Sequence, residues 1–388
     1  MKTEIKNLKK TTQRILKAVQ NKEKIILYGD ADMDGVASVI LFQETLMNLG
    51  ARVSEIYFPD REEEGYGLNE KALQYLKEKT PALLIILDCG ISNFEEMKLA
   101  NKMGFEIIII DHHVVLEKLP EASIIINPKQ EGDEYPFKEF AASGLSFKIC
   151  ESLLGEKLSE NLEKNFLELV ALATLADMMP ELEENKIFIE KGLQFLESTF
   201  RPGLKVFFTF PKIKDLPSLR HIAQKIISTL NITVPQDHLN KSYILLKTPS
   251  LAEAKTLASE LLERAEEKRI KIREMCQEAE ERIALKKEEP IIFEGNPSWT
   301  LALTGSVASR MCNTYQKPTF IFKKEEKESR GAMRVPKGLD GVKAFIACKE
   351  FLITFGGHPP AGGFRLETKN LEEFKSCLIN YFANLKEI

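Results

Sequence analysis

Asp111, His112 and His113 directly follow four consecutive isoleucines at positions 107–110. A short apolar run of this kind is typical of a buried β-strand. The C-terminal end of that strand would therefore carry one carboxylate and two imidazoles. Acidic and imidazole groups that are buried without partners are strongly unfavourable. A strand end with this composition therefore indicates a compensating charge, such as a metal ion.

Two further apolar runs also end in acids. The run before residue 30 leads into Asp30, Asp32 and Asp34, and the run at 83–87 leads into Asp88. The first three acids alternate, so an extended segment would place them on one face. Ligands of open α/β sheets bind outside the carboxyl ends of the strands. The three strand ends therefore predict one crevice that holds divalent metal.

Taken one at a time, these segments have ordinary explanations. An acidic loop that ends in glycine, here residues 30–35, is a common turn, and adjacent histidines can be structural. An EF-hand would need a glutamate at the twelfth loop position, which residues 42–45 do not continue. The chain has only five histidines, and two of them stand behind an aspartate at a strand end. The combination favours a two-metal site that could clamp both oxygens of a phosphoryl displacement.

The order of apolar and amphipathic segments predicts an α/β protein with a mostly parallel, doubly wound N-terminal sheet. A long amphipathic helix over about 251–286 should connect it to a smaller C-terminal α/β domain. We predict a catalytic domain over 1–200, a helical connector over 201–289 and a substrate-binding domain over 290–388. Within the first domain, the predicted helices cover 36–48, 68–78 and 94–103, and the predicted strands include 53–58 and 124–126.

The composition argues against several classes of protein, among them membrane proteins and secreted proteins. The net charge of −4 argues against indiscriminate coating of nucleic acid, although it allows a local basic groove. No apolar run approaches the roughly 20 residues of a membrane helix, and the N-terminus lacks the apolar core of a signal peptide. The six cysteines are scattered without metal-ligand spacing, which predicts reduced thiols in a cytoplasmic protein.

The acid-rich segments and their order identify the sequence as a member of the DHH phosphoesterase superfamily. It most resembles the RecJ-like branch of single-strand exonucleases. The resemblance covers most of the chain, and its fourth motif adds Asp177 on an otherwise apolar helix. The matching segments are residues 30–35, 61–68, 88–92, 111–113 and 173–177.

This resemblance implies a set of metal ligands and a set of catalytic groups. Two Mn²⁺ or Mg²⁺ ions would be bound, with Asp88 as a bridge between them. His113 would face the scissile phosphate, and Asp111 would orient an imidazole, as outer carboxylates of metal sites do. The implied metal ligands are Asp30, Asp32, Asp34, Asp88, His112 and Asp177.

The C-terminal region resembles the DHHA1 domain of the same superfamily. Residues 355–364 look like its glycine-rich signature, and residues 331–334 look like its arginine-bearing strand. Paired glycines would let backbone amides approach a phosphate, and an arginine would bind it as a fork. The implied substrate-binding residues are Arg61, Arg334, Gly356, Gly357 and His358. A glycine-rich turn by itself is weak support.

Some segments depart from the RecJ-like pattern. Trp299-Thr300 stands where that branch usually has a Trp-His pair, and residues 222–227 stand roughly where it has an Asn-Ala-x-Gly-Arg stretch. The sequence also stops after the DHHA1-like region, without the OB-fold of larger bacterial relatives. These departures lead us to expect a weaker grip on long strands.

The resemblance implies a cytoplasmic, two-metal phosphodiesterase that removes nucleotides from the 5′ end of single-stranded DNA in repair or recombination. A cleft between the two domains would admit one strand and exclude a duplex. An alternative is a hydrolase of short oligonucleotides (a nanoRNase) or of 3′-phosphoadenosine 5′-phosphate. A second alternative is a non-catalytic nucleic-acid-binding component of replication, which the intact set of acids argues against. Replication or repair proteins would be natural partners, and a membrane would not.

Overall fold

The computed structural model describes residues 4–61, 63–115, 118–284 and 288–384, and for His358 the backbone alone. The chain splits into two compact units, Met1–Ala265 and Glu266–Ile388. Each unit contains a five-stranded sheet, so the predicted α/β fold is confirmed. The finer division into three functional segments stays a prediction.

The sheet of the first unit is entirely parallel and has the order β2-β1-β3-β4-β5. The chain moves outward from β1 to β2, and then returns to build β3, β4 and β5 on the other side. The order therefore reverses between β1 and β3, which is where doubly wound sheets bind ligands. The strands are β1 (Ile25–Gly29), β2 (Val53–Tyr57), β3 (Ala82–Leu87), β4 (Phe105–Ile110) and β5 (Ile124–Ile126).

The side chains of alternate residues in the buried strands pack into two separate hydrophobic cores. Leu27 and Ile85 point into one core, whereas Ile26 and Leu84 point into the other. A strand that is buried on both faces reads as a continuous apolar run, which is why β3 and β4 could be predicted from the sequence.

Helices cover both faces of this sheet, as the two cores require. Helices α3 and α4 pack on one face, and α1, α2, α5 and α6 contribute to the larger core on the other. The helices are α1 (Leu8–Gln20), α2 (Met33–Asn48), α3 (Glu70–Leu76), α4 (Phe94–Met103), α5 (Ala142–Leu154), α6 (Glu160–Ala176), α7 (Glu183–Leu196), α8 (Pro202–Lys205), α9 (Pro211–Lys214), α10 (Leu219–Leu230) and α11 (Lys241–Lys247). A two-stranded hairpin, β6 (Pro235–Gln236) and β7 (Leu239–Asn240), precedes α11.

The predicted long helix is present as α12 (Leu251–Ala284), and residues 285–286 of its predicted span lie outside the described residues. Ala254 and Leu261 belong to the core of the first unit, and Met275 and Ala279 belong to a core of the second. No helix in the described ranges combines the length and apolarity needed to span a bilayer.

The sheet of the second unit is mixed and has the order β11-β12-β10-β9-β8. Only β8 and β9 pair in parallel, and the other neighbours are antiparallel. One face packs on a phenylalanine-rich core. The elements are β8 (Ile292–Asn296), α13 (Thr304–Tyr315), β9 (Thr319–Lys324), β10 (Glu328–Arg334), α14 (Gly341–Ala347), β11 (Thr354–His358), β12 (Ala361–Glu367) and α15 (Leu371–Asn384).

The prediction that all six cysteines are reduced thiols is wrong for one pair. Cys348, just after α14, forms a disulfide with Cys377 in α15. The two residues are 29 positions apart, so no local spacing signals the bond. The packing of α14 on α15 brings them together. The other four cysteines are free and buried.

Candidate metal centre

Three backbone hydrogen bonds continue the ladder of the first sheet by one residue beyond β1, β3 and β4. Each bond joins the amide of an aspartate to the last carbonyl of the neighbouring strand. The three acid-bearing loops therefore start side by side, as the apolar runs predicted. The bonds run from Asp30 N to Leu87 O (3.1 Å), from Asp88 N to Ile110 O (2.9 Å) and from Asp111 N to Ile126 O (3.1 Å).

The structure brings all six predicted metal ligands together in overlapping groups of three. Within each group, one ligand atom per residue lies within 4.8 Å of the others. Asp88 and His112 each belong to two groups, which is the arrangement that two neighbouring cations would need. The groups are Asp30, Asp32 and Asp88; Asp34, His112 and Asp177; and Asp88, His112 and His113.

Asp30, Asp32 and Asp34 do not share one extended segment, and that part of the prediction is wrong. Helix α2 already begins at Met33, and Asp32 is its N-cap. The Asp32 carboxylate accepts hydrogen bonds from the amides of Asp34 (3.0 Å) and Gly35 (3.2 Å). This cap turns the chain, so Asp30 and Asp34 belong to different ligand groups.

The N-terminal end of α5 fixes Asp34. Its carboxylate accepts hydrogen bonds from the amides of Ala142 (2.7 Å) and Ser143 (2.9 Å). Free amides at a helix start favour a negative charge. No local pattern predicted this contact, because Ala142 lies 108 positions from Asp34.

Asp88 has a left-handed backbone conformation, and Asp177 lies at the end of a helix. Asp88 has a φ of 64°, in the left-handed region, which is uncommon for residues other than glycine. Such strain is characteristic of functional sites. Asp177 is the C-cap of α6, so its carboxylate stands at the C-terminal end of that helix.

The centre holds more buried negative charge than its own groups can compensate. Burial, followed by the repulsion of Asp34 and Asp32, raises the pKa of Asp88 well above its usual range and that of Asp177 to about 8. Burial also raises the pKa of Asp34 to about 6. Asp88 Oδ1 and Asp177 Oδ2 are buried, and each lies near His112 Nε2, at 3.4 Å and 3.3 Å. Carboxylates with an imidazole in such a setting fit hard divalent cations.

Arg61, a predicted substrate-binding residue, lies directly on the metal ligands. Its guanidinium forms an ion pair with both oxygens of Asp30, and its Nη2 lies 3.0 Å from Asp32 Oδ2. Burial acts to raise the pKa of Asp32, but Arg61, together with hydrogen bonds from the Gly35 amide and the Asp88 side chain, outweighs burial and lowers that pKa. Arg61 therefore supplies positive charge within the acidic centre.

Asp111 and His113 form a hydrogen-bonded pair, and His113 also belongs to the group with Asp88 and His112. Asp111 accepts hydrogen bonds from the amides of Ile91, His112 and His113, and its Oδ1 lies 2.7 Å from His113 Nδ1. Burial lowers the pKa of His113, but Asp111 outweighs it and raises the pKa to about 9. The Asp111 carboxylate therefore favours the protonated form of the His113 imidazole and orients the ring.

Tyr66 is a neighbour of this pair that sequence reasoning did not single out. Its hydroxyl donates to the carbonyl of Asp88 (3.2 Å) and lies 3.3–3.4 Å from the ring nitrogens of His113. Gly65 and Gly67 on either side have left-handed φ of 83°, and a Cβ at Gly67 would lie 2.5 Å from the Asn93 side chain. The two glycines that flank Tyr66 in the sequence were the feature that could have indicated a specially shaped loop around this tyrosine.

The predicted substrate-binding residues of the second unit lie close together within that unit. Arg334, at the end of β10, pairs in register with Ala361 of β12. Its guanidinium donates to the Met333 carbonyl (2.9 Å). Burial lowers the pKa of Arg334, and no carboxylate in the described part of the chain offsets it.

The glycine-rich segment at 355–364 forms the β11–β12 hairpin. Gly356 pairs with Gly363, and Gly357 pairs with Gly362. Gly357 has a φ of 139°, and a Cβ there would lie 2.3 Å from the Ala361 carbonyl oxygen, so this turn requires glycine. The side chain of His358 lies outside the described residues. Phosphate binding by these residues stays a prediction.

Comparison with known proteins identifies relatives of this chain. Residues 24–174 match the DHH family, N-terminal domain. The chain is 33% identical over 380 residues to the single-stranded-DNA-specific exonuclease RecJ of Bacillus subtilis, covering 97% of this chain and 48% of that protein. It is 30% identical over 378 residues to RecJ of Salmonella typhimurium, covering 91% and 65%. The chain thus spans about half to two thirds of the length of these relatives.

Solved structures show the same fold. A crystal structure of exonuclease RecJ bound to manganese matches with a TM-score of 0.79 and 24% identity, covering 98% of this chain and 95% of the other. RecJ from Thermus thermophilus in complex with Mn²⁺ matches with a TM-score of 0.84 and 23% identity, covering 99% and 56%.

Proposed function

We propose that this chain, whose residues 24–174 match the DHH family, N-terminal domain, is a metal-dependent phosphodiesterase that degrades single-stranded DNA from the 5′ end. The observation that carries this proposal is the set of overlapping ligand groups that share Asp88 and His112. The curated relatives named as single-stranded-DNA-specific exonucleases support the substrate class. That substrate implies action in the cytoplasm alongside repair proteins.

The six predicted ligands would hold two divalent cations, Mn²⁺ or Mg²⁺. When bound, such ions lower the pKa of a bound water and stabilise the charge that develops on a phosphoryl group.

The chain's own residues would position the substrate and balance its charge. The His113 imidazolium, held by Asp111, would donate a hydrogen bond to an oxygen of the scissile phosphate. The Nε of Arg61 lies 2.9 Å from Oδ1 of Asp30. Once cations compensate Asp30, this guanidinium would be available to bind a phosphate. Arg334, Gly356, Gly357 and His358 would contact substrate phosphates from the second unit.

A labelled-strand assay tests the proposal. Single strands of DNA and RNA in several lengths, labelled at the 5′ or the 3′ end, are incubated with Mn²⁺ or with a chelator. We expect mononucleotides from the 5′ end of DNA only when metal is present. Asp177→Asn should lower the rate at least 100-fold, whereas Asp215→Asn, the same change at an exposed acid, should leave it unchanged.

The other outcomes separate the alternatives. Cleavage confined to strands of a few nucleotides, or to 3′-phosphoadenosine 5′-phosphate, would favour a short-oligonucleotide hydrolase or phosphatase. Binding of the strand without any hydrolysis would favour a non-catalytic component. Activity that persists in chelator would contradict the metal-dependent mechanism.

A further inference from the structure

A column of aromatic rings runs outward from the first sheet across its β2 edge. Tyr28 of β1 and Tyr57 of β2 stack with ring centroids 5.5 Å apart and planes 8° apart. Tyr57 stacks in turn on His238, at 4.8 Å and 19°. The two tyrosines are fully buried and are explained by the core. His238, at the outer end, is only partly buried.

The β6–β7 hairpin is built to hold His238 in this place. Asp237 and His238 both have left-handed φ, 51° and 61°, as a two-residue type I′ turn requires. The His238 carbonyl accepts a hydrogen bond from the amide of Phe58 (2.9 Å), just beyond β2. The Asn240 amide side chain donates to the carbonyl of Ala31 in the acidic loop. The hairpin is therefore attached both to the sheet edge and to the metal centre.

A second aromatic ring borders the outer end of the column. Tyr75 of α3 has its ring centroid 4.2 Å from that of His238, and its side chain is 44% exposed. A single exposed tyrosine is ordinary. Here it adjoins the half-buried His238 ring at an interplanar angle of 43° and also contacts Tyr57 (centroids 5.6 Å apart), so the partly exposed rings of Tyr75 and His238 form one aromatic patch.

This patch is linked to the metal centre by a short segment of chain. Phe58, which anchors His238, precedes Arg61 by three residues, a span of at most about 11 Å. The column also supports the loop that carries Arg61 and Tyr66. The hydroxyl of Tyr57 lies 3.0 Å from the Glu64 carboxylate, and that of Tyr28 donates to the carbonyl of Gly67 (2.8 Å).

We propose that His238 and Tyr75 form a stacking site for one nucleobase of the strand whose phosphate lies at the metal centre. The inference rests on the proposed function, and it adds a position on the β2 side of the sheet through which the strand passes. Every base offers a π-face, so such a site is tolerant of sequence. A base inside a duplex has both faces covered by its neighbours, so the site would favour single strands.

The test scans one missing base along the strand. Wild-type protein with Mn²⁺ is given 5′-labelled single strands that each contain one abasic nucleotide at a successive position. We expect KM to rise about 10-fold at one position near the 5′ end, since one stacked base contributes this order of affinity. The double variant His238→Asn/Tyr75→Ala, in which asparagine tolerates the left-handed φ of 61° at position 238, should show the raised KM on the intact strand and no further rise at that position.

Two further variants separate stacking from a structural role. His238→Phe keeps a ring and should retain most of the wild-type KM. Tyr315→Ala removes an exposed tyrosine from the second unit and should behave as wild type. An equal KM for every abasic position, or equal losses in His238→Phe and His238→Asn, would overturn the inference. If wild-type protein cleaved no strand at all, the proposed function itself would fail.

Discussion

The Asp88 carboxylate belongs to two ligand groups, while its backbone has a left-handed φ of 64°. Alanine at this position would add backbone strain to the loss of a ligand, because only Gly, Asn and Asp adopt that region readily. Asparagine keeps both the shape and the backbone conformation and removes only the charge. Asp88→Asn is therefore the sharper test of a metal role.

We predict that Asp88→Asn raises the melting temperature of the metal-free protein, since it removes one of several repelling buried carboxylates. Mn²⁺ at about 100 times its Kd should stabilise wild-type protein by about 2.7 kcal/mol and the variant far less. Thermal unfolding in chelator and in MnCl₂ measures both effects, with Asp215→Asn as the matched control. Equal stabilisation of Asp88→Asn and wild type by Mn²⁺ would show that Asp88 is not a ligand.

Tyr66 contacts Asp88 and His113 through its hydroxyl, while its ring is 52% exposed. The two parts of the side chain predict separable effects. Tyr66→Phe should lower kcat several-fold with little change in KM, because the hydroxyl contacts with the Asp88 carbonyl and with His113 are lost while the ring remains. Tyr66→Ala should also raise KM, because the ring beside the phosphate site is lost. Steady-state kinetics on a short single strand measures kcat and KM of each variant. Identical kcat and KM for Tyr66→Phe and Tyr66→Ala would show that the hydroxyl and the ring do not have separate roles.

At the scale of elements, helix α6 carries a buried acid that the metal centre does not use. Glu168 is 1% exposed, and its Oε1 lies 3.8 Å from the Nε of Arg201. Burial raises the pKa of Glu168 to about 7 despite Arg201. Glu44 of α2 lies 3.0 Å from the same guanidinium. Burial acts to raise its pKa too, but Arg201 and Lys247 outweigh burial and lower it.

These opposite shifts predict opposite effects on stability. The pKa of Glu168 is higher in the folded protein than in the unfolded chain. The stability that protonated Glu168 contributes to the folded protein is therefore fully present below about pH 4.5 and is lost as the pH rises through 7. At pH 8, the ionised Glu168 carboxylate then lowers the free energy of unfolding by about 3 kcal/mol. Glu168→Gln should therefore increase the free energy of unfolding at pH 8 and have little effect at pH 5.

Glu44→Gln is the matched control for this prediction. The pKa of Glu44 is depressed, so its stabilising contribution is present above about pH 4.5 and is lost at lower pH. Glu44→Gln should destabilise the protein at pH 8. Denaturant titrations at both pH values, in chelator, measure the differences from wild type. A loss of stability at pH 8 for both variants would show that Glu168 is a required ion-pair partner.

The elements that could be predicted are those with a local signal. The apolar runs indicated β3 and β4, and the amphipathic spacing indicated α4 at Phe94–Met103 and nearly all of α12. The three acid-bearing strand ends were predicted for the same reason. The resemblance to a known family added the fourth acid segment, with Asp177.

The features that could not be predicted depend on distant parts of the chain. The α5 amides reach Asp34, and the β6–β7 hairpin reaches the acidic loop, only after folding. The Cys348–Cys377 disulfide likewise follows from the packing of two helices. The glycine-rich segment at 355–364 could have been a phosphate-binding turn or a hairpin, because glycine permits both backbones.

At the scale of the whole molecule, the two units have separate cores, and all of the candidate metal ligands lie in the first. The disulfide lies in the second. Within the described ranges, α12 contributes residues to cores of both units. A ligand that binds the native form of one unit raises the stability of that unit, so metal and thiol reductant should act on different parts of the chain.

We predict two transitions in differential scanning calorimetry of the intact chain, because units with their own cores unfold separately unless they are strongly coupled. Mn²⁺ should raise the temperature of one transition, and a thiol reductant should lower that of the other, since removing a disulfide from a small unit typically costs about 2–5 kcal/mol. Asp88→Asn should abolish the first shift, and Cys377→Ser should abolish the second. A single transition that responds to both agents would contradict this prediction and would show that the two units unfold as one cooperative whole.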